Sequence, residues 1–213
     1  MKSRTPLVVT ALVTVALWIV GMIVAQALPS NLASDPTDAQ VLTWVQANTG
    51  TIIAGAWLFM LGCVGLVFFA GMLRERLATA EGGNHLLANI AFGGGIAAAA
   101  LGIGVNADIA TAINKDSVSP AAAAAFHHLG DFFFMGAEVM LIPFVAAAAL
   151  VAWRTAVLPR WWAVFGLILA VVLAIGPIGW AALIFGTPIW LLGTSLLVGR
   201  RPRRSTAPAP ATA

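Results

Sequence analysis

The sequence predicts an all-α fold, a polytopic transmembrane helical bundle. Hydrophobic residues make up 61% of the chain and charged residues only 9%, whereas an average soluble domain carries about 25% charged residues. The mean hydropathy is +0.96, and several apolar runs reach the ~20 residues that cross a hydrocarbon core about 30 Å thick. The chain is therefore expected to form one membrane domain without a soluble domain on either side.

Six spans are predicted within residues 1–199. Four of them are continuous apolar runs. The last apolar stretch is too long for one crossing, and it divides at GPIGW (residues 176–180), where Gly and Pro together favour a turn. The predicted spans cover about residues 6–28, 51–73, 86–107, 132–153, 161–178 and 180–198.

The positive charges predict the orientation. In a six-span arrangement only Lys115 falls on one side, and the other Lys and Arg residues share the opposite side. Positive residues concentrate on the cytoplasmic side of membrane proteins, so both termini are expected in the cytoplasm and the protein in the plasma (inner) membrane. A five-span arrangement would break this pattern. The cytoplasmic set is Lys2, Arg4, Arg74, Arg76, Arg154, Arg160, Arg200, Arg201, Arg203 and Arg204.

Both ends of the chain carry their own signals. MKSR and the small residues at Ala25-Gln26-Ala27 resemble a signal peptide, but the apolar run exceeds the usual 7–15 residues, which favours an uncleaved first helix. Residues 200–213 are basic and rich in Pro and Ala, which predicts a disordered cytoplasmic tail. Its arginines attract anionic lipid headgroups. The bilayer and these headgroups are the predicted partners, and no nucleic acid is implied.

Two external segments are predicted to form helices. In the first, Asp35 is the expected N-cap, and the apolar face of Val41, Trp44 and Val45 predicts a short helix lying in the headgroup region. A partner-binding surface is the alternative. In the second, Ser119 and Pro120 suit a cap and a first helical residue, and this helix is expected to continue into the fourth span.

The third span is rich in Gly and Ala. Small residues allow neighbouring helices to approach closely in membranes, so this span is expected at the centre of the bundle. The predicted packing positions are Gly93, Gly94 and Gly95. No strand accompanies this glycine run, which excludes a nucleotide-binding loop.

The stretch FHHLGDFFFMGAEVM (residues 126–140) concentrates ionisable side chains in a chain that otherwise avoids them. At 100° per residue, His127, Asp131 and Glu138 fall within about 40° of one another on a helix, with His128 about 100° away. These four residues form the candidate polar site. The alternative is that the outer three simply sit among wet headgroups.

Glu138 is the deepest of the four. Intramembrane ionisable residues are functional candidates by default. No Lys or Arg lies at a comparable depth, so Glu138 is expected to face the bundle interior in its protonated form. Pro143 removes a backbone donor one turn later, which predicts a kink beside this residue.

The candidate residues do not identify an enzyme. A metal site needs about three converging ligands; His127 and Asp131 can supply two, with His128, Asp108 or Asp116 as a possible third. This signal is weak, so neither a metal nor a cofactor is predicted. The chain also shows no nucleophile elbow or triad spacing.

The run WRTAVLPRWWAVFGLILAV (residues 153–171) resembles the signature junction of domain-of-unknown-function family 4386. The matching residues are Arg154, Leu158, Pro159, Arg160 and Trp161. The resemblance implies a small bacterial polytopic membrane protein and carries no activity or catalytic residues with it.

Two classes of function remain open on the sequence. The first is a non-enzymatic accessory or structural component of the cell envelope. The second is a small-solute or proton-coupled transporter, or a metal-dependent membrane enzyme, that uses His127, Asp131 and Glu138. Convergence of these side chains on a water-reachable cavity favours the second class.

Overall fold

The computed structural model describes residues 5–27 and 32–198, and the regular elements in these ranges are all helical. The tail of residues 200–213, with Lys2 and Arg4, lies outside the described residues. Two five-residue π-helical turns are named π1 (Ile23–Ala27) and π2 (Ala182–Gly186). The α-helices are α1 (Thr5–Met22), α2 (Asp38–Ala47), α3 (Thr49–Glu81), α4 (Leu86–Gly104), α5 (Asp108–Ile113), α6 (Pro120–Thr155), α7 (Arg160–Leu173), α8 (Gly176–Ala181) and α9 (Thr187–Leu197).

Five helices of the described chain are long and apolar enough to cross a membrane, which confirms the helical, multi-pass class. The apolar helix α7 is shorter, with 14 residues. The five candidates are Thr5–Gln26, Thr49–Glu81, Leu86–Ile113, Pro120–Thr155 and Ile178–Leu197.

The break predicted near GPIGW occurs slightly earlier, at Ala174 and Ile175, between α7 and α8. The reason is local. Pro177 has no N–H to donate to the carbonyl of Leu173, so a continuous helix would lose that bond. Beyond the break, α9 is tied back to α7, because Trp162 Nε1 donates to Thr194 Oγ1 at 2.9 Å in a buried position.

The long helices pack mainly against the next long helix in sequence, α1 against α3, α3 against α4 and α4 against α6, and α9 packs against α1. Helices α3 and α6 are both central: α3 contacts α1, α2, α4, α5, α6 and π1, and α6 contacts α2, α3, α4, α5, α7 and α8. The expectation that the third predicted span is central was therefore wrong. Its helix, α4, packs closely against α3 and α6, but Ile90 and Ile103 on its other face are exposed on the bundle surface.

The three glycines of the α4 triplet face different neighbours. A Cβ at Gly94 would lie 2.7 Å from Phe144 N and 3.0 Å from Met140 O, so α4 meets the backbone of α6 there. A Cβ at Gly95 would lie 2.9 Å from the Ala70 Cβ of α3. Around Gly93 there is nothing within 4 Å. Two of the three predicted packing positions thus mediate close contact, and Gly93 does not.

The two predicted helix starts had different outcomes. Ser119 caps α6 as expected: its Oγ accepts from Ala122 N, and Pro120 opens the helix. For α2 the expected cap Asp35 was wrong. Thr37 is the N-cap and forms a capping box with Gln40, because a hydroxyl residue followed three positions later by Gln satisfies two free backbone donors at once.

The apolar face of α2 also differs from the expectation of a headgroup-facing helix. Val41, Trp44 and Val45 are buried, and they form a small second core with residues of α3, α5 and α6, among them Ile52 and Ala123. Helices α2 and α5 thus cover one end of the bundle, called the α5 end from here on.

The opposite end holds the α3–α4 and α6–α7 turns. The Glu81 carboxylate accepts from Leu87 N at 3.0 Å and from Ala88 N at 2.9 Å, and it thereby caps α4. Arg74 Nε donates to Asn89 Oδ1 at 2.9 Å. With Arg76, Arg154 and Arg160 on the same turns, this end is the arginine end.

The contrast between Gly94 and Gly93 gives a test of the packing. Gly94→Leu is expected to destabilise the protein by about 1–3 kcal/mol, because the added side chain overlaps the α6 backbone. Gly93→Leu is the matched control, and we expect little change in stability because nothing lies within 4 Å of a Cβ at this position. Thermal unfolding in detergent measures both, and equal melting temperatures for the two variants would contradict the packing described here.

Candidate functional site

A cavity of about 160 Å³ lies at the α5 end, between α1, α3, α6 and the α4–α5 segment. Its apolar wall includes Met22, Phe59 and Phe134. One water needs roughly 10–15 Å³ of such volume, so the cavity has room for several waters or a small polar group. The polar residues that line it are Gln26, Asp108, His127 and Asp131.

The pair of His127 and Asp108 is the polar centre of this cavity. His127 Nδ1 lies 3.0 Å from Asp108 Oδ2, a distance at which the carboxylate accepts a hydrogen bond from an N–H at Nδ1. Trp44 of α2 packs edge-on against the His127 ring, with the centroids 6.1 Å apart. The ring is therefore fixed from two sides, by α5 and by α2.

Close backbone approach brings Asp108 to His127. Gly130 lies one turn after His127 on α6, and a Cβ there would sit 2.7 Å from the carbonyl oxygen of Val105. Only glycine allows α6 to come this near to the end of α4. Helix α5 begins with Asp108, three residues after Val105. A carboxylate at this first position interacts favourably with the helix dipole.

Asp108 is only half satisfied. The residue is 7% exposed, and within the described chain its Oδ1 is buried without a hydrogen-bond partner. Asn106 Nδ2 and Thr111 Oγ1, on the same segment, are also buried and unpaired among the described residues. An unpaired buried polar group costs about 1–3 kcal/mol, and more when it is charged. The α4–α5 segment thus retains unused hydrogen-bonding and charge capacity beside the cavity.

The two remaining outer residues of the candidate site are on the surface. His128 Nδ1 lies 4.0 Å from Asp131 Oδ2, and both side chains are 72% exposed. An exposed ion pair of this kind contributes little to stability. Asp131 also lines the cavity, so it forms part of the rim, whereas His128 does not line it.

Glu138 occupies a different place. It is buried about 16 Å further along α6 than His127, at 1.5 Å per residue. Its Oε1 contacts the Cα region of Gly179 in α8, where any Cβ would overlap the carboxyl. The three residues predicted to share one face of α6 are therefore separated. His127 and Asp131 line the cavity with Asp108, and Glu138 packs at the α6–α8 contact.

The break between α7 and α8 explains the surroundings of Glu138. The Leu173 carbonyl oxygen lies 3.0 Å from the same Cβ position on Gly179, and Pro177 leaves that carbonyl without its helical donor.

Pro143 has a packing role in the structure. Helix α6 continues through it from Pro120 to Thr155. A Cβ added to Gly94 would lie 3.1 Å from the Pro143 Cγ, so the proline ring fills the α4–α6 crossing. Among the described residues no group of three or more His, Cys, Asp or Glu side chains is arranged to hold a metal ion.

Sequence reasoning missed three features of this region. Asp108 was named only as a possible third metal ligand, although an acidic residue directly after a Gly-rich span is a usable signal for the same end of the bundle. Gln26 was noted only within a cleavage-like motif. The approach of Gly179 to Glu138 had no local signal, because it depends on how α7 and α8 fold back onto α6.

The contact between Glu138 and Gly179 gives a second test. Gly179→Ala is expected to lower the free energy of unfolding by about 1–3 kcal/mol, because the methyl group overlaps the buried carboxyl. Gly176→Ala is the matched control in the same helix, where nothing lies within 4 Å. The measurement is thermal or denaturant unfolding in detergent.

A double-mutant cycle makes the test specific. In a Glu138→Ala background the carboxyl is gone, so Gly179→Ala should cost at least 1 kcal/mol less than in the wild type. An identical cost in both backgrounds would show that Glu138 does not occupy this space.

Comparison with known proteins adds no assignment to this geometry. No family model matches the chain, and no curated protein or solved structure matches it either. The contacts of the α5-end cavity are therefore the basis on which a function is proposed.

Proposed function

We propose that this chain is a non-enzymatic integral membrane protein that binds a small organic cation in the α5-end cavity. The observation that carries the proposal is Asp108. A nine-tenths buried carboxylate lines a cavity and has one oxygen without a partner among the described residues. A bound cation would compensate its charge and reduce the cost of burying it.

The charge of the cavity wall favours a cation over an anion. Asp108 and Asp131 carry two negative charges, and His127 carries at most one positive charge. The wall is therefore net negative whether or not the imidazole is protonated. Phe59 and Phe134 also line the cavity, and the face of an aromatic ring attracts an ammonium group.

The topology we propose has six crossings, with both termini in the cytoplasm and the α5 end outside the plasma (inner) membrane. Arg154 and Arg160 flank the α6–α7 turn at the arginine end, which suits a cytoplasmic position next to anionic lipid headgroups. Trp161 is 62% exposed beside them, as expected of an interfacial aromatic residue. The cavity would then open to the external side.

Two further assignments are each supported by a single observation. Membership of domain-of-unknown-function family 4386 remains a proposal that rests on the residue pattern from Arg154 to Trp161. Proton-coupled transport, the alternative function, has one favourable observation, the buried carboxyl of Glu138. Transport through a joint site needs Glu138 to share the cavity with His127. Because Glu138 contacts Gly179 instead, binding is the function that the geometry supports better.

The topology has a direct test. Reporter fusions at Ala213 and next to Lys115 are expected to show a cytoplasmic C-terminus and an external α5–α6 loop. A cytoplasmic reporter enzyme and a periplasmic one at each position give opposite signals and serve as mutual controls. An external signal from the C-terminal fusion would refute the six-crossing topology.

The cation site is tested with ethylammonium as the probe. Ethylammonium chloride is expected to raise the melting temperature of the detergent-solubilised protein above that in equal sodium chloride, since a ligand that binds only the folded state stabilises it. Asp108→Asn should raise the ethylammonium concentration needed for the same rise at least tenfold, which corresponds to about 1.4 kcal/mol of binding free energy.

The matched control for Asp108→Asn is Asp116→Asn. Asp116 is exposed and lies outside the cavity, so this variant loses the same charge at the same end of the bundle and should respond like the wild type. Equal responses of wild type, Asp108→Asn and Asp116→Asn would exclude Asp108 from cation binding.

A further inference from the structure

A second cavity adjoins the first and opens on the side of the bundle. This groove has a volume of about 360 Å³ and lies between α1 with π1 on one side and π2 with the start of α9 on the other. Ile19, Ile23 and Phe185 line it, and they are 42%, 48% and 62% exposed on the bundle surface. In a membrane protein, a groove with these exposed apolar walls faces the hydrocarbon of the lipids.

The groove and the α5-end cavity adjoin each other. Met22 and Gln26 line both of them. Gln26 is the polar residue of the groove, and it stands at the cavity side, whereas Trp18 marks the deep end. The combined site is therefore polar at one end, where Asp108 and His127 lie, and apolar along the rest.

The length of the groove corresponds to one leaflet. Gln26 and Trp18 are eight residues apart, which corresponds to about 12 Å along the helix axis at a rise of 1.5 Å per residue. Half of a hydrocarbon core is about 15 Å thick. A hydrocarbon chain whose headgroup is held at the level of Gln26 would therefore lie in the groove along most of the leaflet.

The two π-helical turns face this groove from opposite sides. Ile23 and Gln26 belong to π1, and Ile184 and Phe185 belong to π2. The second turn is well bonded, since the Thr187 hydroxyl donates to the Ala182 carbonyl at 3.2 Å. Single π-helical turns occur frequently at functional sites, because the extra residue re-aims the side chains around it.

We infer that the groove and the α5-end cavity together bind one membrane amphiphile, a hydrocarbon chain with an ammonium headgroup, which enters sideways from the external leaflet. This inference rests on the proposed cation site and names the class of its ligand. The ammonium group lies against Asp108 and Asp131, and the chain lies between π1 and π2. The fit follows from the net negative polar end and the apolar, leaflet-deep remainder of the site.

The test uses photolabelling in dodecyl maltoside micelles, which contain no ammonium lipid. The probe is a twelve-carbon alkylammonium that carries a diazirine near the chain end, compared with the same chain bearing a carboxylate or a hydroxyl head. Mass spectrometry of the labelled peptides is expected to show at least fivefold more label on residues 18–26 and 183–188 from the ammonium probe. Excess dodecylammonium should remove this label.

Substitutions separate the head from the chain. Asp108→Asn should reduce the groove label at least fivefold, and Asp116→Asn should leave it unchanged. Ile184→Trp fills the groove and should also remove the label. Ile189→Trp is the control, because Ile189 is 56% exposed on α9 and does not line the groove. If Ile184→Trp does not fold, Ile23→Phe takes its place from the opposite wall.

The outcomes distinguish the two proposals. Asp108-dependent ethylammonium binding without preferential groove label would overturn the amphiphile and leave the cation site in place. Groove label that is equal for all three heads, or unaffected by Asp108→Asn, would also overturn the inference, because the polar end would then play no part. Loss of both ethylammonium binding and the ammonium preference would remove both proposals.

Discussion

Close approach of helix backbones at small residues is the constraint on which the rest of this structure depends. Lipid tails are as apolar as the helices, so no hydrophobic force drives helices together in a membrane, and contact must come from packing. Gly21 allows α1 to meet the α3 backbone, Gly55 allows π1 to do so, and Gly94 does the same for α4 and α6. Any side chain at these positions would push the helices apart. The walls of the α5-end cavity stand at the distances that these contacts set.

The same constraint explains why polar groups gather at one end of the bundle. Gly130 brings α6 against the carbonyl of Val105, and this places His127 within hydrogen-bonding distance of Asp108. The segment from the end of α4 through α5 carries three buried polar atoms without partners in the described chain, on Asn106, Asp108 and Thr111. A small membrane protein thus holds an under-satisfied polar segment at this end, and Asp108 of that segment lines the cavity. The interior of the bundle is by contrast largely apolar.

Much of the fold could be predicted from the sequence, because membrane spans depend on length and composition. The apolar runs, the Ser119 cap of α6 and the break before GPIGW follow from local chemistry. The cap of α2 is also a local pattern, since Thr37 and Gln40 form a capping box, but the predicted cap was Asp35. The central position of α6 could not be predicted from composition, since it depends on which helices meet.

The candidate site shows the same limit. Helical periodicity correctly grouped His127 with Asp131, which line one cavity. It also grouped Glu138 with them, because a single helix carries no information about its neighbours. Near its start α6 meets α2 and α5, and further on it meets α8. Residues on one stripe of a long helix therefore reach different partners. Asp108 and Gly179 could be recognised only once those partners were in place.

The short helix α7 has a consequence for the bilayer itself. Its 14 residues rise about 21 Å, less than the ~30 Å hydrocarbon core, while α6 with 36 residues extends well beyond it. In the six-crossing topology that we propose, these unequal lengths would produce hydrophobic mismatch, which the surrounding lipid would relieve by thinning next to α7 and the long helix would relieve by tilting. The mismatch costs fractions of a kcal/mol per ångström, so the protein is expected to partition into thinner membrane regions and to loosen as acyl chains lengthen.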